Sequence, residues 1–237
     1  MNKQEFRQLR KDGFRNVPIT REIIADLDTP LSCYIKLARG PYSYLLESAA
    51  QGGEKWSRFS IVGLPATKVI KISGQIISTF ESGEIVESFS HPDPLEYIEA
   101  ILGSINYPNI DEMPIYTGGL VGYFGYDTVR YIENNLRDTV PKDILGVPDI
   151  QLMYSNELVI FDNVKGRMHL VTHADPFEEG SFEQAQRRLD KMSLGMSAEV
   201  PISLKVPEEG SEIKEDDFLS SYGKQNFMAD IRRIKDY

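Results

Sequence analysis

Tyr42-Ser43-Tyr44-Leu45-Leu46-Glu47-Ser48, then Ala49 to Lys55, then Trp56-Ser57-Arg58-Phe59-Ser60-Ile61-Val62-Gly63, is the stretch on which the fold turns. It reads as a strand, a polar turn around Gly52-Gly53, and a returning strand. The first strand ends in the carboxylate of Glu47 and the hydroxyl of Ser48. The second opens on Trp56, Ser57 and Arg58. Side by side, an acid, a hydroxyl and a guanidinium on an apolar lining make a cradle for a zwitterionic small molecule. The same residues also read as the end of a surface hairpin with an ordinary Glu–Arg pair, which contributes little. The residues alone leave both readings open.

Outward from this stretch the apolar period stays near two. Leu31 to Leu37, Tyr42 to Ser48, Ser57 to Gly63, Lys68 to Ser73, Gln75 to Phe80 and Glu84 to Phe89 are predicted strands. Gly40-Pro41, Leu64-Pro65, Gly74 and Ser82-Gly83 separate them, and turns this short join antiparallel neighbours into a meander. Upstream, residues 3–12 make a short surface helix, Asn16 to Thr20 is extended, and Asp28-Thr29-Pro30 is turn chemistry.

Downstream, Asp93-Pro94 opens a helix with Leu95, Ile98, Ile101 and Leu102 on one face and Gly103 at its end. Tyr116 to Tyr126 is a glycine-rich strand, followed by a short helix from Asp127 to Asn135. Gln151 to Tyr154, Glu157 to Asp162 and Met168 to His173 are strands, with Asn163 to Gly166 turning between the last two. Pro176 to Met192 is helical. Ser193 to Ser211, rich in glycine and proline, is a linker or an irregular edge. Asp216 to Tyr222 and Asn226 to Tyr237 return to helical spacing. The predicted class is α+β: an antiparallel sheet meander with helices packed on it. Its expected divisions are an extension over 1–20, the main α+β domain over 21–193, a linker over 194–215, and the start of another domain over 216–237.

Over 237 residues the hydrophobic fraction is 41% and the charged fraction 26%, which is ordinary for a globular chain. The net charge of −10 argues against a nucleic-acid partner, which needs a basic surface. Cys33 stands alone in an apolar stretch, so it reads as a small buried hydrophobe, with neither a disulfide within the chain nor a thiolate cluster. Met1 to Arg15 is no secretory signal and nothing is long enough to span a bilayer, so no membrane role and a cytoplasmic location are expected.

Catalytic signatures are scarce. Gly118, Gly119, Gly122 and Gly125 have the wrong spacing for a dinucleotide loop, and no Lys-Ser or Lys-Thr follows. Interleaved with Tyr116, Tyr123, Phe124 and Tyr126, they mark bulges or the close approach of another backbone. His169 and His173 lie on a strand-like segment where four residues span roughly 13 Å, too far for one metal. Glu96 and Glu99 sit on the exposed face of a helix. Asp127 and Glu133 are the nearest pocket candidates, with a helix cap the better reading of Asp127. No catalytic residue and no metal ligand is assigned.

Two motifs carry a family resemblance. Tyr42 to Ser48 with Gly52-Gly53-Glu54-Lys55-Trp56-Ser57-Arg58-Phe59-Ser60 and Gly63 resembles the amino-terminal region of anthranilate synthase component I. Thr117-Gly118-Gly119-Leu120-Val121-Gly122-Tyr123-Phe124-Gly125-Tyr126-Asp127 is similar to a second hallmark stretch of those chorismate-utilising enzymes. The resemblance runs from about Pro18 to the last residue, and aminodeoxychorismate synthase component I shares the layout. It implies a lyase that converts chorismate and ammonia to anthranilate and pyruvate, with Mg²⁺ as cofactor and a glutamine amidotransferase subunit as partner. It implies that the chorismate and Mg²⁺ residues lie in a carboxy-terminal domain beginning near Asp216, so this chain alone is inactive. It also implies that the Leu45-Leu46-Glu47-Ser48 segment takes up the inhibitor L-tryptophan, with Ser48, Glu47 and Arg58 as the ligand-binding residues. A stand-alone amino-acid-binding module on the same scaffold is the alternative.

Overall fold

The computed structural model describes residues 1–47, 58–108, 116–136, 143, 145–200, 214 and 217–236. In chain order the elements are α1 (Lys3–Lys11), β1 (Val17–Ile24), α2 (Pro30–Leu37), β2 (Tyr44–Leu46), β3 (Phe59–Gly63), β4 (Lys68–Ser73), β5 (Ile76–Glu81), β6 (Glu84–Ser90), α3 (Pro94–Ser104), β7 (Gly119–Phe124), α4 (Val129–Ile132), β8 (Ile150–Ser155), β9 (Glu157–Asp162), β10 (Arg167–Ala174), α5 (Ser181–Met196) and α6 (Lys224–Lys235). The chain divides into two units, Met1–Val200 and Pro201–Tyr237. In the second, α6 leaves Phe227 and Ile234 exposed.

The α+β class holds, but the single meander does not. Among the described residues the first unit has two five-stranded antiparallel sheets, ordered β1-β10-β9-β3-β2 and β6-β5-β4-β8-β7. The meander breaks at Leu64-Pro65, where the chain leaves one sheet for the other. The free edge of β3 is taken by β9, with Val62 opposite Val159, and that of β4 by β8, with Ile70 opposite Leu152. Both partners lie far along the chain, and no local turn signal announces such a pairing.

Leu31 to Leu37 was predicted as a strand and is the helix α2. Thr29 caps it in a reciprocal box with Ser32, and Pro30 occupies its first turn. Cys33 is fully buried there, and burial pushes its thiol up to about 12. At the other cap that sequence pattern predicts, Asp93 Oδ1 accepts from the amides of Leu95 and Glu96 at 3.0 and 3.1 Å. Asp127 is not a cap: it lies inside a 3-10 turn, Tyr126–Thr128, and its Oδ1 accepts from Arg130 Nε at 2.7 Å. Residues 218–222, expected to be helical, form no helix.

The first sheet is covered on both faces. Val159 and Phe161 of β9, with Met168 and Leu170 of β10, pack against Phe6 of α1, Cys33 of α2, and Ala185 and Leu189 of α5. Leu158, Ile160 and Val171 make a second cluster with Phe59, Ile61 and Tyr116. This explains why β9 reads as a continuous apolar run rather than an alternating one. Ile70, Ile72, Ile77, Ile150 and Leu152 of the second sheet bury their face with Ile98 of α3.

Candidate functional site

Glu47 is the residue after β2 and Arg58 the residue before β3. The two strands pair from Tyr44 opposite Gly63 to Leu46 opposite Ile61, so both residues lie at the same end of the pair. Glu47 is exposed, and its carboxylate has no partner among the described residues. Ser48, Trp56 and Ser57 lie outside the described residues, so of the predicted set only Glu47 and Arg58 are placed, at one end of the strand pair, with the guanidinium turned onto Asp162.

Arg58 is held in the fold. Its Nε lies 3.0 and 3.1 Å from the two carboxylate oxygens of Asp162, and its Nη2 is 2.5 Å from Oδ2. The guanidinium carbon stands 4.8 Å from the centre of the Phe59 ring, a cation–π contact. Asp162 ends β9 opposite Phe59 and is 2% exposed. Its Oδ1 also accepts the amides of Val164 and Lys165 at 3.2 and 3.1 Å, which closes the β9–β10 turn. The paired guanidinium is the main reason its carboxyl is held below the usual carboxylate range.

A depressed carboxyl pKa fixes the sign of a pH effect. The pair adds stability above the unfolded value of about 3.9, and that stability disappears as pH falls through the lower folded value. Asp162→Asn is therefore expected to unfold at a lower temperature than the parent chain at pH 7, with the difference shrinking below pH 4. Thermal melts at both pH values check this; a gap that persists in acid would show that the charge is not what stabilises.

At the opposite end of β2, four segments meet in a buried polar cluster. Tyr44 Oη lies 2.6 Å from Ser155 Oγ and 3.3 Å from Tyr116 Oη. His173 is buried at the end of β10, with the ring of Tyr107 centred 5.3 Å away. Its Nδ1 lies 3.0 Å from the Asn156 carbonyl oxygen, which can only accept, so Nδ1 carries the proton. Burial lowers the pKa of the imidazole, which leaves Nε2 as a lone-pair acceptor with no partner among the described residues. His169, on the same face, is 3.9 Å from Glu22 through Nε2, and the two histidines share no ligand.

On the second sheet a cavity of about 730 Å³ is lined by Tyr123, Tyr126, Asp127, Arg130, Tyr131 and Asp149, among others. Of the two pocket candidates read from the sequence, Asp127 lines it and the exposed Glu133 does not. Its polar groups are largely spent on the fold. Asp149 Oδ2 accepts the Gly74 amide at 2.7 Å and lies 2.8 Å from Tyr131 Oη, while Tyr123 Oη donates to the Pro148 carbonyl. Asp149 was not singled out in the sequence, where nothing marks it beyond the neighbouring Pro148.

Among the described residues no three His, Cys, Asp or Glu side chains converge on a point that could hold a metal ion. No described helix is long and apolar enough to cross a membrane.

The first unit is a pair of antiparallel sheets, with Glu47 and Arg58 at one end of the β2–β3 pair. The sequence profile of the chorismate-binding enzymes matches residues 42–237, and the chain belongs to that family. Over its whole length it is 43% identical to anthranilate synthase component 1 of Pseudomonas putida, and equally to that of Neisseria meningitidis serogroup B. In each case it covers 48% of the relative, so the chain spans about half their length. A solved anthranilate synthase component I from Streptococcus pneumoniae is similar over 76% of this chain and 37% of its own, at 24% identity and a TM-score of 0.49.

Proposed function

We propose that this chain is the amino-terminal, tryptophan-binding part of an anthranilate synthase component I. In the complete protein it would regulate a lyase that forms anthranilate and pyruvate from chorismate and ammonia. A glutamine amidotransferase subunit would supply the ammonia, and Mg²⁺ and chorismate would be bound by a carboxy-terminal domain beginning near Asp216. The part described here would have no activity alone. A cytoplasmic setting suits that role.

One observation carries the reading: Glu47, whose carboxylate has no partner among the described residues, and Arg58 share one end of the β2–β3 pair, within the string that resembles the family's effector segment. A carboxylate suits the ammonium of an amino acid and a guanidinium suits its carboxylate, and charge-assisted hydrogen bonds are stronger than neutral ones. The names of the relatives favour anthranilate over aminodeoxychorismate as the product. A ligand at this end would act on chemistry elsewhere only by binding two arrangements of the protein with different affinity.

Ser48→Leu tests the site in the complete protein. The substitution removes a hydroxyl and adds branched bulk beside Glu47. The tryptophan concentration for half-inhibition is expected to rise by about tenfold or more, the effect of losing roughly 1.4 kcal/mol of binding. Chorismate turnover without tryptophan should stay near wild type. An unchanged inhibition curve would remove Ser48 from the site.

A further inference from the structure

We infer that Asp162 is a positioning residue for effector recognition: it docks the Nε–Nη2 edge of the Arg58 guanidinium inside the fold and leaves Nη1, which has no partner among the described residues, to the carboxylate of the bound amino acid. The inference rests on the proposed tryptophan reading and adds a residue to it that the sequence pattern did not suggest.

Asp162 lies 104 positions from Arg58 in sequence and is nearly inaccessible. A buried carboxylate needs hydrogen bonds to its charged form, and here two come from the turn amides of Val164 and Lys165. The hairpin therefore holds the anion independently of Arg58. Arg58 then engages it through Nε and Nη2, while its backbone carbonyl accepts the Asn163 amide at 2.8 Å. Nη1 has no partner among the described residues, and the side chain is 38% exposed. The guanidinium is thus clamped by a fork on one edge and by the Phe59 ring on its face. A side chain ordered before binding loses less rotamer entropy when the ligand arrives.

Neutralising the anion should free the fork without opening the turn, because Asp162→Asn keeps an oxygen for both amides. Arg58→Lys keeps the charge but cannot engage both carboxylate oxygens in a planar fork. The effect should be specific to ligands with a carboxylate. Tryptamine, which lacks one, does not use Nη1.

The experiment measures inhibition of anthranilate formation by L-tryptophan in the complete protein carrying Arg58→Ala, Asp162→Asn or both. Arg58→Ala should raise the half-inhibitory concentration about tenfold and Asp162→Asn about three- to tenfold. The double variant should be no worse than Arg58→Ala alone, because residues acting through one contact are not additive. Each inhibition curve is referred to that variant's own uninhibited turnover, and Asp162→Asn should leave any weak inhibition by tryptamine unchanged. If Arg58→Ala leaves inhibition at the wild-type level, the pocket reading fails and this inference with it. If Arg58→Ala shifts inhibition but Asp162→Asn does not, the pocket stands and the positioning role is overturned. Should Asp162→Asn fail to fold, Arg58→Lys decides: wild-type inhibition there rules out a need for the fork.

Discussion

Gly122→Ala is expected to destabilise the first unit by about 3 kcal/mol or more, the upper range for forcing atoms into a packed site. Gly122 lies in β7 opposite Leu152 of β8. A Cβ there would overlap the Gln151 carbonyl oxygen and lie 2.9 Å from its carbon and 3.0 Å from Leu152 Cα. All three are backbone atoms, so no rotamer change relieves the clash, and β7 must move away from its neighbour. For a unit of this size the loss corresponds to a fall of roughly 6–12 °C in the unfolding midpoint. Gly103→Ala is the control: it lies near the end of α3, nothing stands within 4 Å of its added Cβ, and a small gain is expected. Equal melting temperatures for the two variants would contradict the close approach of β7 and β8.

Gly118→Ala should cost nearly as much, about 2–3 kcal/mol, for two reasons that add. Its φ of +148° lies where a side chain is strained. Its Cβ would also come within 2.6 Å of both His173 Cε1 and the Ser155 carbonyl oxygen. The imidazole could shift; the carbonyl could not. Gly118→Ala combined with His173→Ala should therefore recover only part of the loss. Full recovery would locate the whole cost in the histidine and leave the strain at 118 without effect. Chemical denaturation of the single and double variants distinguishes the two cases.

These two glycines show what could be read from the sequence. Glycine interleaved with aromatics in a strand points to close backbone approach whatever the neighbour is, and Gly122 meets that expectation with Gln151. The local signals also held where one short segment decides the outcome. Asp93-Pro94 caps a helix, Ser82-Gly83 turns between β5 and β6 with positive φ at both residues, and Asn163 to Gly166 joins β9 to β10. They failed where one signal serves two structures. Asp28-Thr29-Pro30 suits a turn, and Thr29-Pro30 suits the start of a helix equally; the Ser32 box decided for the helix. They failed again where partners are distant, as in the insertion of β9 beside β3.

The candidate site divides along the same line. Glu47 and Arg58 flank two strands joined in sequence, so their place at one strand end was legible. Asp162, which fixes how Arg58 can be used, is brought in only by the sheet order. The cluster of Tyr44, Tyr116, Ser155 and His173 is assembled from four segments whose hydroxyls and imidazole look unremarkable one at a time.

We propose that this chain regulates, through tryptophan, an enzyme that forms anthranilate from chorismate. The most direct measurement supplies the complete protein with chorismate, Mg²⁺ and ammonia, and follows anthranilate and pyruvate as L-tryptophan is raised. Anthranilate and pyruvate should appear in equal amounts, and both should fall together as tryptophan increases. An amino-chorismate product without pyruvate, or anthranilate formation indifferent to tryptophan, would overturn that proposal.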